Sequence, residues 1–342
     1  MKTAVIILNY NGVKLMEEYL PSVINNTRDA EIIVADNGST DGSVEWLKSH
    51  YPTIKVLAFS TNYGFAEGYN KAIRQIEAEY VVLLNSDVNT PKDWLQPLVK
   101  TLDEHPGCVA CQPKIIADKR RSHFEHAGAA GGFIDYYGYP LCRGRLIDKV
   151  EEDCGQYDTD MEIFWATGAC MMIRRKAYLE ADGLDSRFFA HQEEIDLCWR
   201  LKARGYSIRY VSDSTVYHLG GGSLGYESPR KVYLNFRNNA IMLYKNMPTG
   251  DYWHIAPFRF LMDYTAAFQM LLQGKWDKFK AVLKARKDFV RTRKDFTADR
   301  KKNLRLTTTK NIEGRLNLWI VWQVYINKKV KFSELKIDKK KN

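Results

Sequence analysis

Four times in its first 84 residues the chain passes through a short apolar-rich segment and then into a polar, helix-opening stretch. That alternation constrains the fold more than any other feature. The segments are 4–8, 31–35, 54–57 and 80–84. Each is too short for a buried helix and most are rich in β-branched side chains, as buried strands are. Between them, Leu15, Tyr19, Leu20 and Val23, then Val44, Trp46 and Leu47, then Ala72 and Ile73 place apolar side chains at helical spacing. A β-α-β-α-β-α-β order of this kind predicts an α/β fold with a doubly wound, mostly parallel sheet.

Beyond about residue 100 the alternation loosens. The stretch 127–144, with its run Ala127-Gly128-Ala129-Ala130-Gly131-Gly132, reads as a mobile loop near the site. Trp165 to Ile173 reads as a small-residue turn followed by a strand. Ile195, Leu197, Trp199 and Leu201 begin a helix. Ser207 to Val211 reads as a strand, with His218 just past it, and from Tyr226 onward the pattern is helical. The expected division is 1–100, 101–225 and 226–342, the last a helical, basic C-terminal region.

Charge is concentrated rather than spread. The formal net charge is +10, and residues 275–310 carry 14 Lys/Arg against 4 Asp/Glu. That segment alone equals the excess, so the N-terminal part is no platform for nucleic acid and no nucleic-acid partner is expected. The basic C-terminal region suits phosphates or an anionic membrane surface. Six cysteines include one CxxC, Cys108 to Cys111, without a second pair, and they read as thiols in a reducing compartment. The run 4–8 is too short for the apolar core of a signal peptide. No stretch is long and uncharged enough to span a bilayer, and residues 255–272 carry Arg259 and Asp263.

In an open α/β sheet, ligands bind outside the carboxyl ends of the strands. Two polar clusters fall there: Asp36-Asn37-Gly38-Ser39-Thr40-Asp41 after the second segment and Asn85-Ser86-Asp87 after the fourth. Tyr10 follows the first segment, where an aromatic ring can stack on a flat base or simply close a turn. Asp36 can accept from a pyrimidine N–H or a ribose hydroxyl, whereas Asp41 suits a helix cap. Glu193-Glu194-Ile195-Asp196 and His218 complete a set able to hold a metal, a diphosphate and a general base. Asp196 and Arg200 stand at helical spacing and suit a structural pair.

These motifs, in this order, resemble family 2 glycosyltransferases of the GT-A fold, of the type that assembles bacterial polysaccharides. The resemblance covers roughly residues 3–245. It rests on Asn9-Tyr10-Asn11, Asp36 to Asp41, Asn62-Tyr63-Gly64-Phe65-Ala66, Asn85-Ser86-Asp87, the Gly168-Ala169 turn, and Phe188-Phe189 with Glu193 to Arg200. It implies a GT-A-like sheet with a C-terminal helical extension, in which 1–100 is a nucleotide-binding half and 101–225 an acceptor and catalytic half. It also implies inverting transfer of a hexose or deoxyhexose from a nucleotide-sugar donor to a glycan or lipid-linked acceptor. Nucleotide contacts would fall to Asn9, Tyr10, Asp36, Asn62, Asn70 and Asn85, with Arg237 at the leaving diphosphate. Asn85-Ser86-Asp87 takes the place of the family's DxD motif, so Asp87 would bind Mn2+ or Mg2+, with His218 as second ligand. Asn85 departs from the acidic form and brings no charge. Glu194 would be the base and Glu193 its orienter or an acceptor contact; the family often has Asp at the second position. The expected location is cytoplasmic, or peripheral on the cytoplasmic face of the inner membrane.

Two other enzyme classes and one non-enzymatic class compete. A sugar nucleotidyltransferase needs a Gly-rich, basic phosphate loop after the first strand, and Asn9-Tyr10-Asn11-Gly12 supplies none. A dinucleotide-binding oxidoreductase needs GxGxxG at the same place. A catalytically weak sugar-nucleotide-binding protein is kept in play by Asn85.

Overall fold

The computed structural model describes residues 1–220, 228–309, 311–335 and 337. Of the run Gly220-Gly221-Gly222-Ser223 that follows His218, all but Gly220 lie outside the described residues, as do the lysines at 339–341.

The four apolar segments form strands as expected: β1 (Thr3–Asn9), β2 (Glu31–Asp36), β3 (Lys55–Ala58) and β4 (Tyr80–Asn85). Helices α1 (Val13–Asn26), α2 (Ser43–His50) and α3 (Gly64–Arg74) connect them. Next come β5 (Val88–Asn89), α4 (Gln96–Glu104), β6 (Cys108–Ala117), β7 (Gly132–Asp135), β8 (Pro140–Cys142), β9 (Arg145–Leu146), β10 (Lys149–Val150), β11 (Met161–Glu162) and β12 (Cys170–Arg174). The remaining elements are α5 (Arg175–Glu180), α6 (Glu193–Ala203), β13 (Ser207–His218), α7 (Pro229–Asn246), α8 (Thr249–Leu272), α9 (Trp276–Thr292), α10 (Thr297–Leu306), β14 (Arg315–Leu316) and α11 (Ile320–Tyr325).

The main sheet runs β3-β2-β1-β4-β12-β6-β13-β11, with β5 paired to β13. Strands β3, β2, β1 and β4 are parallel to their neighbours, and β12 enters antiparallel between β4 and β6. Side chains of β1 alternate between two cores. Ala4 and Ile6 pack into one cluster and Val5 and Ile7 into the other. A strand buried on both faces has no room for polar alternation, which is why these segments read as continuous apolar runs.

Two expectations need correction. The stretch 127–144 is not a mobile loop: it supplies β7 and β8 of a second sheet, ordered β10-β9-β8-β7-β14. Ala129, Ala130, Ile134 and Cys142 are fully buried there. Its glycines serve close packing rather than flexibility. A Cβ at Gly132 would lie 2.2 Å from the Trp165 ring, and one at Gly138 would lie 2.3 Å from Leu243. The second correction concerns His218, which is the last residue of β13 rather than a loop residue beyond it. A register shift between Val211 and Thr215 lets the strand continue past the point where its apolar pattern breaks.

The C-terminal region is helical, as expected, but β14 pairs parallel to β7 and so joins the end of the chain to the second sheet. Helix α7 packs against both α6 and α9.

Gly132→Ala should destabilise the fold by about 1–3 kcal/mol, the cost of overpacking a filled core. Gly107→Ala, where an added Cβ meets nothing within 4 Å, should stay within about 0.5 kcal/mol of the parent. Urea unfolding midpoints measure both; equal midpoints would contradict the packing role of Gly132.

Candidate active site

The site begins with strand register. Asn9 stands beside Asp36, and Leu8 beside Asn85, so three polar strand ends emerge together at one edge. Asn9 is fully buried. Its amide donates to Asp36 Oδ2 at 2.9 Å and to Ser39 Oγ at 3.2 Å. Asp36 Oδ1 accepts from Ser39 N at 2.9 Å. Tyr10, by contrast, leaves half its surface exposed beyond β1. Asp41 does cap, and does so twice: it accepts from Val13 N at 3.0 Å and from Ser43 N at 3.1 Å, the first residues of α1 and α2. Burial raises its pKa, but the bonds from Ser43 and Val13 outweigh burial and hold it below the ordinary value.

Asn62 and Asn70, expected at the nucleotide, bond within the chain. Asn62 Oδ1 accepts from Asn37 Nδ2 at 3.1 Å and from Gly64 N at 2.8 Å, shaping the entry to α3. Asn70 is buried; its amide donates to Leu184 O at 2.7 Å, and its oxygen accepts from Tyr178 Oη at 2.7 Å and Leu184 N at 3.0 Å.

Asp87 and His218 meet because β5 pairs with the end of β13, with Val88 opposite His218. Leu219 N donates to Asp87 O at 3.0 Å. His218 Nε2 lies 3.1 Å from Asp87 Oδ1 and 3.4 Å from Asn85 Nδ2. On the other side of the ring, Nδ1 lies 3.4 Å from Glu125 Oε2, an ion-pair contact without hydrogen-bond geometry. Burial disfavours charge on this imidazole, but Asp87 and Glu125 outweigh it and push the pKa up to about 10. Once a metal displaces the Nε2 proton, which the raised pKa opposes, the donor set fits a divalent cation. A carboxylate oxygen and an imidazole nitrogen face one another, and a second carboxylate backs the ring as commonly found behind a ligating histidine. Among the described residues no three His, Cys, Asp or Glu side chains form a metal cage. The pair would therefore leave most coordination positions to a bound anion and water.

Glu193 and Glu194 open α6. Glu193 is buried and Glu194 is partly open to solvent. One carboxylate oxygen of each, Oε2, has no hydrogen-bond partner. Burial, then the neighbouring Glu194 charge, drives the Glu193 pKa well above the carboxylate range. Burial also lifts Glu194, against backbone hydrogen bonds that lower it, to about 7. Asp196 and Arg200 form the structural pair that their spacing suggested, buried and 2.9 Å apart, with Lys245 also 2.9 Å from Asp196.

Short contacts link the two halves. Asn85 N donates to Ala169 O at 3.0 Å. A Cβ on Gly168 would touch Phe65 at 3.0 Å, and Phe65 N donates to Phe189 O at 3.1 Å, four residues before Glu193.

Arg237 has a different task from the one expected. Its Nη2 donates to Arg187 O at 2.9 Å and Phe188 O at 3.1 Å, and its Nε to Asn238 Oδ1 at 2.9 Å. Nη2 is thus engaged by carbonyl oxygens of the segment leading to Glu193. Glu125 and Asn238 were not legible as site residues. Glu125 reaches His218 only through folding of the 115–125 segment, where Glu125 N donates to Ile115 O at 2.9 Å.

Comparison with known proteins matches the family described as Glycosyl transferase family 2 over residues 4–180, just over half of the chain. Among curated proteins, N-acetylglucosaminyl-diphospho-decaprenol L-rhamnosyltransferase of Mycobacterium tuberculosis is 24% identical over 275 residues, covering 75% of this chain and 88% of that protein. Rhamnosyltransferase WbbL of Escherichia coli is 22% identical over 223 residues, covering 63% and 82%. Among solved structures, S. aureus TarS 1-349 in complex with UDP-GlcNAc superposes with a TM-score of 0.53 at 19% identity, covering 90% of this chain and 89% of that one. GalNAc-T7 with UDP, GalNAc and Mn2+ gives 0.55 at 16% identity, covering 71% and 47%. These structural likenesses establish a shared fold.

Proposed function

The chain belongs to glycosyl transferase family 2, and from that premise we propose that it is an inverting enzyme moving a deoxyhexose or hexose from a nucleoside-diphosphate sugar to a lipid-linked glycan acceptor. The observation that carries this reading is Glu194: a half-buried residue at the start of α6 whose Oε2 is desolvated and without a hydrogen-bond partner, and whose pKa burial lifts to about 7. A base poised near neutrality takes a proton most effectively. In the proposed reaction Glu194 accepts the acceptor hydroxyl proton as that oxygen attacks the anomeric carbon, and the bond to the nucleoside diphosphate breaks. Glu193, buried beside it and driven toward its neutral form, leaves the negative charge on Glu194. Tyr10 stacks on the base, and the Asn9–Asp36 pair holds the loop beneath it. A divalent cation held by Asp87 and His218 would neutralise the departing diphosphate. The names of two relatives favour L-rhamnose as the sugar, and one of those names a lipid diphosphate as acceptor.

The test is release of nucleoside diphosphate from dTDP-L-rhamnose, UDP-galactose and UDP-glucose, with Mn2+ and with or without a polyprenyl-diphosphate N-acetylglucosamine acceptor. One donor should be turned over, and Glu194→Gln should lower transfer by roughly 10²–10⁴-fold. Because the raised pKa keeps Glu194 protonated and inactive below it, kcat should rise with pH up to about 7 and level off above. Asp87→Ala should remove the stimulation by Mn2+. Transfer by Glu194→Gln within a factor of a few of the parent would remove Glu194 from the mechanism.

The same reading extends to a membrane surface on the cytoplasmic face. No helix among the described residues is long and apolar enough to cross a bilayer, yet α8 is turned inside out. Its mid-helix charges point inward: Arg259 donates to Asn239 Oδ1 at 2.6 Å, and Asp263 accepts from Arg286 at 3.0 Å, while Asp251 in the first turn pairs with Arg315. Its exposed face carries Trp253, Phe260, Leu261, Tyr264, Phe268 and Leu272, with Trp276 just beyond. At 100° per residue those six fall within one arc of the helix, roughly a third of its circumference. Exposed Lys275, Lys280, Lys284 and Lys287 follow in α9 and the turn before it. An apolar stripe beside a basic rim suits an interfacial helix on anionic lipid, at about 1 kcal/mol per cation near the surface. The folded chain should sediment with vesicles containing phosphatidylglycerol at low salt, and Leu261→Glu with Phe268→Glu should release it. Equal recovery in the supernatant with anionic and neutral vesicles would overturn the membrane reading.

A further inference from the structure

We infer that Asn238 is a positioning residue for the general base, clamping a strained segment that presents Glu193 and Glu194 at the start of α6. The inference rests on the reading of Glu194 as base. Just before α6 three non-glycine residues in four have positive φ: Phe189 (φ 67°, ψ −59°), His191 (φ 70°) and the left-handed Gln192 (φ 75°). Each is disfavoured by contact between Cβ and the backbone, and such conformations persist only where the surroundings hold them.

Side chains of α7 hold them, with Asn238 at the centre. The buried Asn238 amide donates to Phe188 O at 3.0 Å, Ala190 O at 2.9 Å and His191 O at 2.8 Å. Its orientation is fixed from behind, because Arg237 Nε donates to Asn238 Oδ1 at 2.9 Å. That bond identifies the oxygen and so turns the nitrogen toward the three carbonyls. The neighbours on α7 extend the grip. Arg237 Nη2 reaches Arg187 O and Phe188 O, and Asn239 Nδ2 donates to Gln192 Oε1 at 3.2 Å. From the opposite side Phe65 N, on α3, takes Phe189 O.

The consequence is geometric. Gln192 is the left-handed residue that immediately precedes α6, so its conformation sets the direction in which the helix leaves the segment and hence where both carboxylates sit. Without the clamp the segment can relax to right-handed or extended backbone, and Glu194 then moves relative to a donor held by the strand ends of β1, β2 and β4. In this reading the strand ends, and not this segment, hold the donor, so the loss falls on the transfer step.

The experiment compares Asn238→Ala, Glu194→Gln and Asn238→Ala combined with Gln192→Gly. The substrate is dTDP-L-rhamnose with Mn2+, or whichever panel donor the parent turns over. Asn238→Ala should lower kcat by roughly 10–100-fold, the effect of displacing a reacting group by about an ångström, with donor KM within about twofold. Adding Gln192→Gly, which makes the left-handed conformation free of Cβ strain, should recover part of the rate. A purely structural role for Asn238 would not give that recovery. Should Asn238→Ala fail to accumulate as folded protein, Asn238→Ser, which keeps one donor, is read in the same way. An unchanged kcat in Asn238→Ala overturns the proposal while leaving Glu194 as base. So does a parallel fall in kcat and donor affinity that Gln192→Gly does not reverse. A Glu194→Gln variant as active as the parent overturns the base reading itself and the positioning role with it.

Discussion

The parallel pairing of β1 with β2 on one side and β4 on the other is the constraint on which the rest depends. A parallel register brings the carboxyl ends of neighbouring strands to the same edge, and here it sets Asn9 beside Asp36 and Leu8 beside Asn85. Polar side chains widely separated in sequence are thereby brought to one edge, where Asn9 bonds Asp36. The apolar strand interiors secure that register, since a one-residue slip would exchange the two faces of β1 between its two cores. A weaker sheet would leave the same residues on the chain and no site.

The remaining parts of the site are brought to this edge by less regular means. Asp87 reaches His218 through the two-residue pairing of β5 with the end of β13, after a register shift that prolongs the strand. Glu193 and Glu194 arrive on a helix whose entry is held by α7. Burial raises the pKa of both acids, and in the proposed clamp Asn238 of α7 holds the segment that precedes them. The C-terminal helices are therefore part of how the site is built, and α8 links to it directly: Arg259 holds Asn239, which in turn holds Gln192.

The sheet was legible because period and length decide strands that are buried on both faces, and 4–8, 31–35 and 80–84 have both signals. Placement of Asp36, Asn85 and Asp87 at strand ends followed from the same pattern, as did the pairing of Asp196 with Arg200 from four-residue spacing. The glycine-rich stretch 127–144 was misread because composition does not distinguish a glycine needed for freedom from one needed for contact. Gly132 is there because the Trp165 ring lies where a Cβ would be. The duties of Asn62, Asn70 and Arg237 within the chain were likewise invisible, since a polar side chain carries no local sign of whether it will bond a ligand or a carbonyl. Glu125 and Asn238 gave no signal at all, being defined by contacts across roughly 90 and 50 residues of sequence with His218 and Phe188.

The electrostatics divide the crevice into two functions. The strand-end side carries Asp87, His218 and Glu125, suited to a cation and a diphosphate. The α6 side carries a desolvated acid pair suited to accepting a proton. Under the proposed reading, with Glu194 as the single base and the nucleoside diphosphate as leaving group, transfer is one displacement with inversion at the anomeric carbon. The most direct measurement is the anomeric configuration of the transferred sugar by proton NMR. The account requires the configuration opposite to that of the donor; retention would contradict it, because it would demand a nucleophile or a second displacement that this arrangement does not provide.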